Sequence, residues 1–432
     1  MTKSRIALVM DWLDTVGGAE RVLLALHELY PDAPIYTSHY DEKGIDWFKD
    51  AEVHSGFLQI FPTPLRRFLG PLRQLYFSHL DLTNYDLVIS VTGAEAKSIK
   101  AKNHLCYCHV PTQYYWGMYD DYLKNPGFGP LDPVVRFFLK LLVRPLRRAD
   151  LRAAKGPTKF ITISSYAQKE IKKYYDRESL IIHPPVNTKI FSTTTVENSI
   201  LQHNKTGNCQ IKKSEHKHNK TEKSQVKVHP SMSFSEHKQH KMKKSQIDPD
   251  SALASDSSPL NFITTARQVT WKRLDLCVEA CLKTGDNLTL IGEGPEHKNL
   301  VKLADGAENI HFLPKMSQSE LVSHLRNSDA YLFPSKEPFG IAPIEALAAG
   351  CPVIAYKNGG SLDYINDKNG VFFAHQSVNS LAKALKIFRQ KQFNPEEVTA
   401  SAEKFDKKYF TEKISALVTE TLESSGSHKE KK

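Results

Sequence analysis

The stretch Ala330–Asp363, AYLFPSKEPFGIAPIEALAAGCPVIAYKNGGSLD, limits the possible folds more than any other part of this 432-residue chain. Ala330–Phe333 is a continuous apolar run, as expected of a strand buried on both faces of a parallel sheet. A polar loop, Pro334–Ala342, follows, and Gly340 within it is free to take backbone angles that other residues avoid. Pro343 suits a first helical position, Ile344–Ala349 continues as a helix, and Gly350 caps it. Pro352–Tyr356 is then the next buried strand. Two carboxylates, Glu337 in the loop and Glu345 in the first helical turn, stand eight positions apart. Doubly wound sheets bind ligands in the loops after the carboxyl ends of their strands. A first helical turn also offers free N–H groups and a positive dipole end to an anion. Spacing alone equally allows Glu337 as a solvated loop charge and Glu345 as a carboxylate favoured by the helix dipole.

The same strand–helix alternation runs along most of the chain. Strands are expected at 5–10, 87–91, 105–110, 160–164 and 180–183, with helices between them, the first from about Glu20 to Leu29. A second series is expected at 262–266, 288–291, 310–313, 330–333, 352–356 and 371–373, with helices at about 271–284, 318–327, 344–349 and 377–389. Pro184–Pro185 ends the first series. From about Thr193 to Ser258 the composition collapses to Lys, His, Ser, Asn and Gln, with HNKT repeated at 203 and 218 and SEHK at 214 and 235. Such a segment cannot bury enough apolar surface to fold, and it reads as a disordered insert. Its six histidines between 201 and 246 have no fixed geometry for a metal.

The net charge of +10 comes mostly from this insert. Residues 201–246 hold eleven lysines, three glutamates and no arginine, so the rest is nearly neutral and nothing indicates a nucleic-acid partner. Six scattered cysteines do not make a disulfide framework, and they read as reduced core residues. Ile6–Met10 is too short for a signal-peptide core, and no run approaches a membrane span, which predicts a cytoplasmic protein. The stretch Val134–Lys155 alternates Arg136, Lys140, Arg144, Arg147, Arg148 and Arg152 with Phe137, Phe138, Leu141, Leu142 and Leu146. An amphipathic helix of that kind can lie on the anionic inner face of a membrane, and can equally be a surface helix turned to the core.

The string P-S-x-E-x-F-G-I-x-x-x-E-A-L-A-A-G-x-P-V-I-A-x-x-x-G-G, residues 334–360, resembles the signature of family 4 glycosyltransferases, retaining enzymes of the GT-B fold. The resemblance covers nearly everything except the insert and the tail. It implies two Rossmann-like domains facing across a cleft, an acceptor domain at 1–185 and a nucleotide-sugar domain at 186–403 interrupted by the insert at 193–258. A helix at 404–422 would cross back to the first domain, and a disordered tail would occupy 423–432. Glu337 would then touch hydroxyls of the donor sugar and Glu345 those of the ribose, a role that suits an acceptor-only carboxylate facing a vicinal diol. Backbone N–H groups around Phe339, Gly340, Ile341 and Ala342 would meet the sugar hydroxyls. Arg267 and Lys272 match the family's R-x-x-x-x-K, two cations for the departing diphosphate. Gly292 belongs to a matching Gly-rich loop beside the base. Gly17 and Gly18 suit a tight turn where backbone approaches a ligand, or an ordinary helix start, and resemble the family's G-G-A-E loop near the diphosphate. In His104–Trp116, C-H-x-P-x-x-Y-x-W resembles a mannosyl-transferring branch and would put His109 near the anomeric carbon, although Gln113 stands where that branch often has arginine.

The resemblance thus implies transfer of a hexose, mannose in that branch, from a nucleotide-diphosphate sugar to a hydroxyl acceptor, lipid-linked or polysaccharide. It implies no metal and no cofactor besides the donor itself. The alternatives are a phosphorylase- or epimerase-like enzyme on the same scaffold, a non-catalytic nucleotide-sugar binder, and a basic adaptor acting through the insert.

Overall fold

Apolar runs bounded by turn residues become strands, and each helix buries the apolar stripe that its sequence carries. In a computed structural model, residues 4–62, 66, 69–124, 126, 129–192 and 258–426 are described. The expected insert at 193–258 lies outside them except for Ser258, and tail residues 427–432 also lie outside. Strands β1 (Ile6–Met10), β2 (Ile35–Thr37), β3 (Val53–Ser55), β4 (Leu87–Thr92), β5 (His104–Cys108), β6 (Lys159–Thr162) and β7 (Ser179–Ile181) form a parallel sheet in the order 3-2-1-4-5-6-7. Strands β8 (Asn261–Thr265), β9 (Asn287–Ile291), β10 (Ile310–Leu313), β11 (Ala330–Phe333), β12 (Val353–Tyr356) and β13 (Gly370–Phe373) form a second, in the order 10-9-8-11-12-13. All pairs are parallel, for example Leu8 with Ile89 and Tyr331 with Val353. Strands β4, β5 and β11 are buried along their whole length, as continuous apolar strands in a two-faced sheet must be. Two doubly wound parallel sheets, each with its order reversing beside its first strand, make the GT-B fold.

Several boundaries differ from the sequence reading. β2 and β3 span three residues each, too few for a period to register. The helices His297–Ala304 and Pro395–Ala402 were not expected either, being short and largely polar. The helix after β11 begins at Ile341, so Pro343 is its third residue and not its first. Its far end closes as expected: Gly350 has φ 82°, its N–H meets the Leu347 carbonyl, and Cys351 N–H meets that of Ala346. The five described cysteines are free and buried.

The chain's last helix, Lys407–Gly426, runs four residues beyond the expected Leu422 and packs on the first domain. Phe410 meets Tyr107 of β5 edge-on at 5.9 Å, Lys159 binds Glu420 at 2.7 Å, and Lys407 pairs with Glu28. Just before this helix, Phe405 packs edge-on to His183, Phe339 and Tyr364, joining the interdomain crossing to the second domain. The basic–apolar stretch is one helix, Asp132–Ala153. Among the described residues, no helix is long and apolar enough to cross a membrane.

Candidate functional site

In both sheets the switch point lies between the first strand and the next one to its right, and the loops leaving these carboxyl ends face one another. They enclose a cavity of about 1610 Å³ lined by Gly17, Gly18, His109, Arg267, Lys272, Gly292, Glu337, Phe339, Gly340, Ile341, Ala342 and Glu345. Every residue singled out from the sequence as a site candidate therefore faces the same space.

On the first domain, the loop after β1 is anchored by Asp11, a buried carboxylate that the sequence reading passed over. Asp11 accepts from Thr92 Oγ1 at 2.9 Å and from the N–H groups of Gly93, Ala94 and Ala96 at 2.9, 3.1 and 2.7 Å, tying β1's end to the loop after β4. Gly17 and Gly18 open the helix Gly18–Leu29. A Cβ on Gly17 would lie 2.7 Å from Glu20 Oε2, and one on Gly18 3.3 Å from Ile341 Cδ1. Glu20 also lines the cavity, and burial, with Asp14 and Asp11 nearby, raises its carboxyl to about 7. His109 follows β5. Its Nδ1 lies 3.2 Å from the Thr92 carbonyl, which makes that nitrogen the N–H donor. Nε2 is then an acceptor, and it is buried without a protein partner. Burial lowers the imidazole to about 4, so it is neutral at pH 7.

On the second domain, Arg267 follows β8, and Lys272 closes a 3-10 turn, Thr270–Lys272. The helix expected from Trp271 begins only at Leu274, because Arg273 takes a left-handed φ of 54°. Lys272 Nζ donates to Glu337 Oε1 at 2.5 Å, and Ser335 Oγ donates to the same oxygen at 2.7 Å. Both members of that pair are largely sequestered, with side chains 17% and 15% exposed. The Glu337 backbone is held by Gly360 N–H at 2.8 Å, and a Cβ on Gly359 would lie 2.3 Å from the Glu337 carbonyl oxygen. Gly340 takes φ 95° and starts the helix Ile341–Ala348, whose first N–H groups have no partner within the helix. The Phe339 ring turns away to stack on His183 at 5.5 Å. Gly292, with φ 126°, lies against the Ala266 carbonyl. Glu345 accepts from Arg21 Nη1 at 2.6 Å, an ion pair between the two domains that spacing could not reveal.

The arrangement offers an anion-binding corner and hydroxyl acceptors within one cleft. The Arg267 side chain has no hydrogen bond or ion pair among the described residues, while its carbonyl accepts from Val269 N–H at 2.9 Å. Lys272 lies on the same loop as Arg267, and the helix start at Ile341 follows β11 on another loop that lines the same cavity. Glu337 and Glu345 supply acceptors for hydroxyl groups.

The two parallel sheets and the cleft between their carboxyl ends define a GT-B protein. Residues 248–405 match the family described as Glycosyl transferases group 1. The human alpha-1,3/1,6-mannosyltransferase ALG2 is 30% identical over 162 residues, which cover 35% of this chain and 38% of the relative. The D-rhamnosyltransferase WbpZ of Pseudomonas aeruginosa is 28% identical over 148 residues, 33% of this chain and 39% of the relative. The chain thus matches about two fifths of these curated relatives' length. A crystal structure of Anabaena Alr3699/HepE in complex with UDP superposes with a TM-score of 0.60 at 14% identity, covering 96% of this chain and 100% of that one. That likeness carries the fold across both domains.

Folding disfavours protonation of His109, whose ordinary value is 6.5, and of the buried His104, lowered to about 3. The stability each contributes is complete above pH 6.5 and is lost as pH falls, through about 4 for His109. His109→Asn should remove about 2–3 kcal/mol of the loss between pH 7 and pH 4.5. Urea midpoints measured across this range check it, and an unchanged slope would contradict a neutral, buried His109.

Proposed function

We propose that the protein is a retaining glycosyltransferase that moves a hexose from a nucleotide-diphosphate sugar to a hydroxyl acceptor. The observation that carries this reading is the convergence of Arg267, Lys272, Glu337 and Glu345 on one cleft, with the Arg267 guanidinium uncommitted among the described residues. An uncommitted cation beside a helix start is suited to a diphosphate leaving group. Glu345 serves the ribose hydroxyls, Glu337 the sugar, with His109 lining the cleft beside it, and Gly17 and Gly18 let the first domain close on the donor. The bond from the anomeric carbon to the diphosphate oxygen breaks while the acceptor oxygen bonds the same face. The acceptor's proton passes to the departing phosphate oxygen. No metal is invoked, because Arg267, Lys272 and the helix N-terminus meet the charge that develops. The mannosyltransferase relative and the His104–Trp116 segment favour mannose as the hexose.

A lipid-linked acceptor and the inner membrane face fit the helix Asp132–Ala153. Val134, Phe137, Phe138 and Leu141 are 52%, 62%, 51% and 60% exposed along one stripe, which continues into the exposed Arg144, Arg148 and Arg152. Arg136 and Arg147 do not belong to that stripe. They turn inward to the Leu123 and Tyr115 carbonyls at 2.7 and 2.6 Å. An apolar row prolonged by cations suits an anionic bilayer.

Thermal shift against UDP-, GDP-, ADP- and TDP-sugars, with and without EDTA, should give a rise of several degrees for one nucleotide, unaffected by the chelator. No response from folded protein would favour a basic adaptor. Glu337→Gln should lower turnover by about 100-fold or more with nucleotide affinity largely kept, whereas Arg267→Ala should weaken both by at least about tenfold. Turnover assays and calorimetry check these, and unchanged nucleotide binding in the arginine variant would contradict its assignment. Phe137→Ser combined with Leu141→Ser should abolish flotation with phosphatidylglycerol vesicles. Equal flotation with neutral phosphatidylcholine vesicles would remove the preference for an anionic surface, and no flotation of the wild type with either would remove the membrane reading.

A further inference from the structure

The ion pair between Arg21 and Glu345 raises a question that the donor reading does not answer. Glu345 Oε1 lies 2.6 Å from Arg21 Nη1, and the two side chains are 8% and 37% exposed. Both line the cavity, Arg21 from the first turns of helix Gly18–Leu29 and Glu345 from helix Ile341–Ala348. The elements that carry them touch at Gly18 and Ile341. The carboxylate expected to hold a ribose is therefore already engaged, and its partner belongs to the opposite domain.

A ribose diol is neutral. If it took over Glu345 alone, it would leave the Arg21 guanidinium in the cleft without a counter-charge. A nucleoside diphosphate brings both groups that the exchange needs, a diol for Glu345 and an anion for Arg21. The half-exposed guanidinium sits on a long side chain, so it can turn from one to the other without moving its helix. Glu337 cannot stand in as its new partner, since Lys272 and Ser335 hold it already.

We propose that Arg21 is a further donor-binding residue. It neutralises Glu345 in the empty cleft and passes to the diphosphate when the nucleotide's ribose takes its place. Recognition of the two halves of the nucleotide is thereby coupled, and the coupling runs across the cleft, so that a bound diphosphate draws the first domain onto the second. This proposal rests on the nucleotide-sugar reading given above.

The test is Arg21→Met, which keeps the apolar stem of the side chain and removes the charge. Binding of uridine, guanosine and adenosine is followed by saturation-transfer NMR, and that of UDP, GDP and ADP by calorimetry. The preferred nucleoside should bind the variant no more weakly than wild type, up to about threefold tighter, because its competitor for Glu345 is gone. The matching diphosphate should bind at least about tenfold more weakly, because a guanidinium–phosphate contact is lost. A melting temperature equal to that of wild type confirms that the variant is folded. Equal weakening of nucleoside and diphosphate would overturn the proposal, as would no change in either. Wild-type protein that binds none of the three diphosphates would instead overturn the donor-site reading itself, and this proposal with it.

Discussion

The left-handed turn at Gly340 is the constraint on which the cleft depends. With φ at 95°, a side chain there would be strained, and its Cβ would also lie 2.7 Å from Phe333 Cζ and 2.9 Å from the Tyr364 hydroxyl. That crowding fixes the path from the end of β11 to the helix at Ile341, and so aims the first N–H groups of the helix into the cavity. Tyr364 donates back to the Phe339 carbonyl at 2.8 Å, and Gly360 N–H holds the Glu337 carbonyl, so the intervening loop is clamped on both sides. Glu337 is presented by backbone geometry, and its carboxylate is then oriented by Ser335 and Lys272. A site whose polar atoms are fixed before ligand arrives loses little entropy on binding.

What could be read in advance follows a physical division. The central strands of each sheet are buried on both faces and announce themselves as apolar runs, β11 at its observed limits. The glycines at 292 and 340 and the carboxylates at 337 and 345 stood inside long motif strings, and all of them face the cavity. Three-residue edge strands such as Val53–Ser55 left no period to detect, and the 3-10 turn that delays the helix to Leu274 depends on one left-handed arginine. Pairings across the cleft were the least legible. Arg21 and Glu345 are 324 residues apart, and nothing local to either marks the other. The inward turn of Arg136 and Arg147 was hidden in the same way, since alternation along a helix does not say which cations are claimed by neighbouring carbonyls.

The electrostatics of the cleft share one pattern. Each carboxylate expected to meet hydroxyls already has a cation, Lys272 for Glu337 and Arg21 for Glu345, while the Arg267 side chain is left uncommitted among the described residues. Buried charge is costly unless paired, and each of these carboxylates has a cation within ion-pair distance. Neutral His109 adds no charge. The only group in the described cleft pushed to titrate near neutrality is Glu20, whose carboxyl is raised to about 7 by burial and by Asp14 and Asp11.

The last helix has a consequence for how the chain is made. The first sheet's last strand ends at Ile181, yet the helix that packs Phe410 on Tyr107 and pairs Lys159 with Glu420 starts only at Lys407, about 225 residues later. At roughly 5–20 residues per second, translation delivers that helix about 10–45 s after the first sheet is complete. During that interval the fully buried Tyr107 lacks the aromatic lid it has in the finished protein. The first domain is thus sealed by a segment that emerges only after the second domain, and a nascent chain must keep an open apolar seam out of contact with its neighbours until then.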